Sequence, residues 1–331
     1  MELPGLRHSI FTNKRQGPTL NRLSSSIGVF PIISRMLLKT GASVAVAVMS
    51  RVYKTPVSAT FSTSCPTSLA PDLMPRAIFI ELPAEDPLRH ALPATCTSTP
   101  THVLARDAEG RLELRRSAEK CGRGIHVDFS KVILGSANAL RRQPLVRAIG
   151  DAQQVFDATA GLLTDAWLIA ASGCRVFASE RDPFVFALGS DGLSRANAST
   201  DAAIRETASR IALCALDAAR AFAAYASQGV TTESTAVLLD PMFPPKRKKS
   251  ALPPKEMQIL KELLGEESEE QRISNERSLL ATARAVGVER IVVKRPDHAG
   301  DFAQERPSWS LHGMLLRFDV YAHPRTGVSN G

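Results

Sequence analysis

Four short apolar runs between residues 155 and 240 of this chain each lead to an acid. They are Val155-Phe156-Asp157, Arg175–Glu180, the run from Arg210 through Leu216 to Asp217, and Ala236-Val237-Leu238-Leu239-Asp240. Runs this short and this rich in β-branched and aliphatic residues read as strands buried on both faces, as in parallel sheets. Between and after them lie stretches with helical spacing, Asp165–Ala171, Pro183–Arg195, Ala218–Ala226 and Lys255–Leu264. Such alternation constrains residues 151–323 to a doubly wound α/β sheet with helices on both faces. A further strand over Arg290–Lys294, then a hairpin of Trp309–His312 with Leu315–Tyr321, predicts an antiparallel edge. Glu266–Glu276 is acid-rich and reads as a solvated loop or frayed helix. Ligands of open α/β sheets bind beyond the C-terminal strand edges. The acids Asp157, Glu180, Asp217 and Asp240 therefore outline one crevice.

Upstream the pattern changes. Ala77–Ile80 reads as a strand, and Thr101–Leu104 with Leu112–Arg115 reads as a hairpin around Glu109-Gly110. Ile125–Phe129 alternates like another strand, so residues 72–150 are expected to form a small α+β subdomain. Residues 1–71 hold eight Lys or Arg and one acid, Glu2, a charge of +7 out of +8 for the 331-residue chain. The folded part is thus nearly neutral, and any nucleic-acid surface on it must be local. A Ser-, Thr- and Arg-rich leader threaded with apolar residues has the composition of an organellar transit peptide. It predicts a disordered, dispensable segment and a mitochondrial or other organelle matrix location, with the cytoplasm as the alternative. Residues 324–331 are a tail.

Val155-Phe156-Asp157-Ala158-Thr159-Ala160-Gly161 is a strand entering a turn of small residues, with a helix beginning near Thr164-Asp165. Small residues let a ligand approach the backbone, and a helix N-terminus offers free N–H groups. Glu180 follows Gly161 by 19 residues at the tip of the next strand. An acid there takes the ribose hydroxyls of a nucleoside in doubly wound folds. A single glycine is not a dinucleotide fingerprint, so S-adenosylmethionine suits the turn better than NAD. Asp217 is placed to accept from the adenine amine.

Asp240-Pro241-Met242-Phe243-Pro244-Pro245 adds a different capability. Its prolines hold the backbone extended and leave carbonyls free. An acid, free carbonyls and an aromatic ring on one stiff loop can orient an exocyclic amine and stack on its base. That equips Asp240, Pro241 and Phe243 to methylate an amino group of a nucleobase.

These residues resemble the RsmJ family of S-adenosylmethionine-dependent methyltransferases, which modify N2 of a guanine in small-subunit ribosomal RNA. The resemblance runs in order over about residues 100–323. It is carried by Gly124–Phe129, Asp157–Leu162, Ser179–Pro183, Leu239–Pro244, Ser250-Ala251-Leu252 with Lys255-Glu256-Met257, Val292–Asp297 and Arg317–Tyr321. It implies a Rossmann-like class I methyltransferase sheet and a ribosomal RNA or subunit as partner. It also implies cofactor contacts at Thr164-Asp165, Glu180-Arg181, Asp217-Ala218 and Asp240. Where the family's first turn continues Gly-Leu-Gly-Arg-Asp, this chain has Gly161-Leu162-Leu163-Thr164-Asp165, so Leu163 is expected to act on cofactor affinity. The family's Gly-rich basic stretch before the first core strand is shortened here to Arg141-Arg142-Gln143-Pro144. Rival readings are an adenine-N6-type methyltransferase and a degenerate RNA-binding assembly factor in which Leu163 blocks the cofactor.

Lys246-Arg247-Lys248-Lys249, three residues past Phe243, is the first candidate for phosphate contact, against a merely solubilising loop. Lys294-Arg295 and Arg115-Arg116 could extend that surface. The five cysteines show no metal or redox spacing, and Cys174 and Cys214 read as reduced core thiols. His126 and His298 lack partners at metal or triad spacing. No metal, membrane span or obligate partner chain is expected.

Overall fold

The computed structural model describes residues 78–323 apart from 91, 94–98, 133–134, 228–233, 242–253 and 266. The leader, the tail, Phe243 and the basic run Lys246–Lys249 lie outside the described residues.

A small sheet comes first. Strand β1 (Ile78–Glu81) pairs in parallel with β2 (His102–Arg106), which pairs antiparallel with β3 (Leu112–Arg116). The next segment corrects the sequence reading. Ile125–Phe129 is not a strand: Ile125 makes one antiparallel bridge to Leu114, and the chain then enters a 3-10 turn over Phe129–Lys131. The cause is Glu113, whose buried carboxylate accepts from the backbone N–H groups of Gly122 and Gly124 and ties the segment into a loop. Two short helices follow, α1 (Ala137–Arg141) and α2 (Pro144–Ile149), with Pro144 at the first helical position, where its missing N–H costs nothing.

The large sheet contains β4 (Gln154–Asp157), β5 (Arg175–Ser179), β6 (Ile211–Cys214), β7 (Thr235–Leu239), β8 (Arg290–Pro296), β9 (Trp309–His312) and β10 (Leu316–Ala322). Its strand order is β6-β5-β4-β7-β8-β10-β9, with parallel pairing from β6 to β8 and antiparallel pairing of β10 with both β8 and β9. Helices α3 (Thr164–Ala171), α4 (Pro183–Asn197), α5 (Ala202–Ser209), α6 (Ala218–Ser227), α7 (Lys255–Leu264) and α8 (Glu269–Ala285) complete the domain. The mostly parallel α/β sheet with an antiparallel edge agrees with the sequence reading. The acid-rich stretch does not: most of it is the start of α8. A Ser268/Gln271 capping box opens that helix, and Glu269 and Glu270 complement its positive end.

Side-chain parity divides the core. Val155, Val176, Ala178, Ala236, Leu238 and Val292 face one side, in a cluster with Trp167, Leu188 and the small sheet's Leu104, Leu112 and Leu114. Phe156, Phe177, Val237, Leu239, Ile291 and Val293 face the other, with Phe222, Tyr225 and Leu280. This is the two-residue period of a sheet covered on both sides. The small sheet therefore shares one hydrophobic core with the α3 face of the large sheet. Arg106 strengthens the join, donating to Asp86 at 2.7 Å and to Asp191 of α4 at 2.8 Å.

Candidate active site

The chain runs outward from β4 to β5 and β6, then returns to place β7 on β4's other side. The strand order reverses between β4 and β7, so the crevice opens at their C-terminal ends. Asp157 ends β4 and Asp240 follows β7. Both share parity with the α3 face of the sheet, as does Lys294 on β8, and Asp165 stands in the first turn of α3. Four charged groups thus converge where the topology makes a cleft.

Lys294 organises them. Its Nζ donates to Asp165 Oδ2 at 2.6 Å and to Asp240 Oδ2 at 2.9 Å. The side chains of Lys294, Asp165 and Asp240 are 18%, 17% and 27% exposed, so the cluster is recessed but open. Burial opposes the charge on Lys294, yet the two carboxylates outweigh it and hold the ammonium above its ordinary range. Burial pushes the Asp240 carboxyl up to about 6, with Asp165 adding to the rise and Lys294 opposing it. Asp157 is 2% exposed, and burial, with Asp165 and Asp240 nearby, lifts its carboxyl well above the usual range. Thr159 links the two central strands: its N–H donates to Asp157 Oδ1, and its Oγ1 accepts the Asp240 backbone N–H at 2.5 Å.

The turn after β4 forms the adjoining wall. Gly161 has φ +51°, and a Cβ placed on it would meet nothing within 4 Å, so the backbone borders open space. Glu180, just past β5, accepts from Gly161 N–H at 2.9 Å and from Asp182 N–H at 2.7 Å. Its carboxylate ties the turn to the next strand while standing at the crevice edge. Asp217 caps α6, accepting the Arg220 N–H at 2.9 Å, and Ala218 begins that helix. Arg181 is 69% exposed, with Glu267 4.0 Å away. A turn with open space above glycine, acids on successive strand ends and a net negative cluster fit a sulfonium-bearing nucleoside.

Leu163 corrects an expectation. It adopts the left-handed conformation at φ +63°, which favours glycine, but its side chain is fully buried. It packs toward α4, where a Cβ on Gly189 would lie 3.1 Å from Leu163 Cδ1. The side chain therefore points into the core and leaves the crevice clear.

Two basic candidates are also corrected. Arg295 is 3% exposed: it donates to Glu276 Oε1 at 2.8 Å and to the Gly300 carbonyl, and it lies over the Phe302 ring. It braces the fold and offers no RNA contact. Arg116 is held by both Glu262 carboxylate oxygens, at 2.9 and 2.7 Å, and Arg115 pairs with Glu81. Lys294, read only as a surface cation, belongs to the crevice. The parity it shares with Val292 was the available signal.

Comparison with known proteins bears on this geometry. A family model described as SAM-dependent methyltransferase matches residues 89–323. The ribosomal RNA small subunit methyltransferase J of Aeromonas hydrophila is 35% identical over 255 residues, spanning 74% of this chain and 96% of that protein. Its namesake from Thioalkalivibrio sulfidiphilus is 37% identical over 226 residues, 66% of this chain and 84% of the relative. The crystal structure of a SAM-dependent methyltransferase from Neisseria gonorrhoeae superposes with a TM-score of 0.54 at 30% identity, covering 76% of this chain and 96% of that one. Among the described residues no cluster of three or more His, Cys, Asp or Glu could hold a metal, and no helix is long and apolar enough to cross a membrane.

Proposed function

The chain belongs to the family of SAM-dependent methyltransferases that includes the ribosomal RNA small subunit methyltransferases J, and we propose that its crevice methylates the exocyclic N2 amine of a guanine in small-subunit ribosomal RNA. S-adenosylmethionine, when bound, supplies the methyl group from its sulfonium. Gly161, Thr164, Asp165, Glu180, Arg181, Asp217 and Ala218 would hold it, with Glu180 on the ribose hydroxyls, Asp217 toward the adenine, and Asp157 beneath. The observation that carries the reading is Asp240, ionisable near neutral pH and held through Oδ2 by Lys294 at the mouth of the switch point.

That arrangement leaves Asp240 Oδ1, with the Pro241 carbonyl, to accept the N–H groups of the target amine. An exocyclic guanine amine is planar and weakly nucleophilic, so alignment and desolvation contribute most to the acceleration. As the nitrogen gains charge it needs an acceptor beside it, and a fixed carboxylate requires no reorganisation at that moment. Phe243 would stack on the unstacked base, and Lys246–Lys249 would hold phosphates on the strand that bears it. All these groups come from one chain, so the proposed catalytic unit is a monomer, which light scattering tests. The basic leader supports delivery to an organelle matrix; a leader-fused reporter left in the cytosol would remove that reading.

The deciding experiment incubates the full chain with S-adenosylmethionine and protein-free small-subunit ribosomal RNA, followed by mass-spectrometric mapping of modified nucleotides. The expected product is one N2-methylguanosine. N6-methyladenosine would replace the guanine assignment with an adenine one. Absence of transfer despite cofactor binding would leave an RNA-binding assembly factor.

A further inference from the structure

The crevice mouth is flanked by an apolar hairpin tip and two arginines that form no ion pair among the described residues. Strand β10 runs antiparallel to β8, with Leu316 opposite Pro296, so the β9–β10 turn lies at the same end of the sheet as Lys294 and Asp240. With strands about 5 Å apart and residues about 3.3 Å apart along them, the turn stands on the order of 10 Å from Lys294. At its tip Met314 is 95% and Leu315 70% exposed, the two most exposed large apolar residues among those described. The turn is not slack. Gly313 N–H donates to the Leu316 carbonyl at 2.7 Å, Asp297 N–H donates to the Leu315 carbonyl at 3.1 Å, and His312 Nδ1 meets Asp297 Oδ1 at 2.6 Å.

The arginines stand alongside. A Cβ on Gly313 would sit 3.9 Å from Pro144 Cγ, which sets the turn against the start of α2. Arg141 and Arg142, separated from it by Gln143, are exposed, and neither forms an ion pair among the described residues. The same corner borders the crevice, because Leu140 and Gln143 line one cavity together with Thr164 and Asp165.

We infer that the α1–α2 corner and the β9–β10 tip form an RNA-docking surface, with Arg141 and Arg142 on phosphates and Met314 and Leu315 against bases beside the target. The inference rests on the proposed function and adds the path of the substrate strand. A base can enter the crevice only if its strand crosses the mouth, where its flipping leaves neighbouring base faces uncovered. Apolar side chains inserted at such steps cover those faces, and guanidinium groups meet the flanking phosphates. Exposed apolar residues held on a tied turn suit that use better than they suit water.

The test compares full-length wild type with two double variants, Arg141→Ala/Arg142→Ala and Met314→Ser/Leu315→Ser. Affinity for protein-free small-subunit ribosomal RNA is measured across a salt series, with S-adenosylmethionine affinity followed by calorimetry. The arginine variant should bind RNA roughly tenfold more weakly, with a salt slope shallower by up to about 1.4, for two contacts to single-stranded RNA. The hairpin variant should lose roughly as much affinity at an unchanged slope, since stacking releases no counterions. Cofactor affinity should hold in both. Unaltered RNA binding by both variants, beside a wild type that methylates the RNA, would overturn the surface and leave the function standing. A parallel fall in cofactor affinity would place the loss in the crevice and overturn it as well. A wild type that neither binds nor methylates the RNA would remove both readings.

Discussion

Lys294 and Arg295 are neighbours on β8, and they build opposite kinds of cluster. Strand parity sends Lys294 to the α3 face and Arg295 to the other. Arg295 meets a closed node. Glu276 Oε1 accepts from Arg295 and Arg272, while its Oε2 accepts the Ala303 N–H at 2.9 Å. The cross-strand partner Arg317 is bound to Asp319 and to the carbonyls of Asp297, Ala299 and Gly300. Lys294 meets two carboxylates in a recess that stays partly open. Buried charges engaged with one another and with backbone carbonyls hold the fold. Charges with one side left open retain capacity for a ligand, and their ionisation answers to pH.

The sharpest way to break this contrast is to open the closed node. Glu276→Ala removes the carboxylate from Arg295, leaving a buried cation short of its counter-charge. The expected loss is about 3–5 kcal/mol of stability, read from urea unfolding at constant m-value, with cofactor affinity of the folded fraction retained. A loss below about 1 kcal/mol would show that the node does not brace the fold.

At the crevice the contrast predicts loss of function with little loss of fold. Glu180→Ala should weaken S-adenosylmethionine binding by about 1.5–3 kcal/mol, roughly ten- to a hundredfold, because it removes a charge-assisted acceptor. Glu180 also ties down Gly161. Glu180→Gln, which keeps an acceptor but removes the charge, should recover the turn and only part of the affinity. Equal calorimetric affinities for wild type and Glu180→Ala would end the ribose assignment.

Lys294 tests ionisation. Asp240 must be charged to accept from an amine, and its carboxyl lies near 6. Methyl transfer should therefore rise with pH through about 6 and then level off. Burial and Asp165 from α3 favour the protonated form of Asp240, and Lys294 opposes them. Lys294→Met removes that opposition, so the acid limb should move to higher pH, with transfer down about twofold at pH 7 and nearly tenfold at about pH 5 for roughly one unit of displacement. Lys294→Arg should keep the limb near its original place. An acid limb unmoved in the Met variant would show that Lys294 does not keep Asp240 ionised.

How much of this was legible in the sequence follows from the same physics. The parallel strands were, because buried runs ending in Asp157, Asp240 and Glu180 carry both the fold signal and the site signal. The crevice's central cation was legible only through parity, since Lys294-Arg295 looks like one basic pair until the strand's two-residue period separates them. Ile125–Phe129 misled because alternation is a local pattern, whereas a distant carboxylate, Glu113, captured its neighbouring amides. Glu276 misled in the opposite way. Its acid-rich surroundings suggest water, and only Arg272 four residues earlier hinted at a paired, buried role. The stacking of Phe129 on Trp167 at 3.9 Å is a tertiary event with no local trace.

The smallest expected effect sits where the open and closed regions touch, at the turn after β4. Leu163 and Gly161 are two residues apart, and one faces the core while the other borders the crevice. Leu163→Gly would relieve a left-handed backbone worth roughly 1–2 kcal/mol. It would also remove a fully buried leucine, a change that costs about 2–5 kcal/mol in cores. The loss outweighs the relief, so stability should fall by a net 1–3 kcal/mol or so. Cofactor affinity should change by less than about twofold, since the removed atoms pack on α4 rather than on the ligand side. The test is calorimetry with S-adenosylmethionine beside urea unfolding of the same preparation. A markedly tighter cofactor in the glycine variant would mean that Leu163 crowds the crevice after all, and the boundary between the two regions would have to be redrawn through this turn.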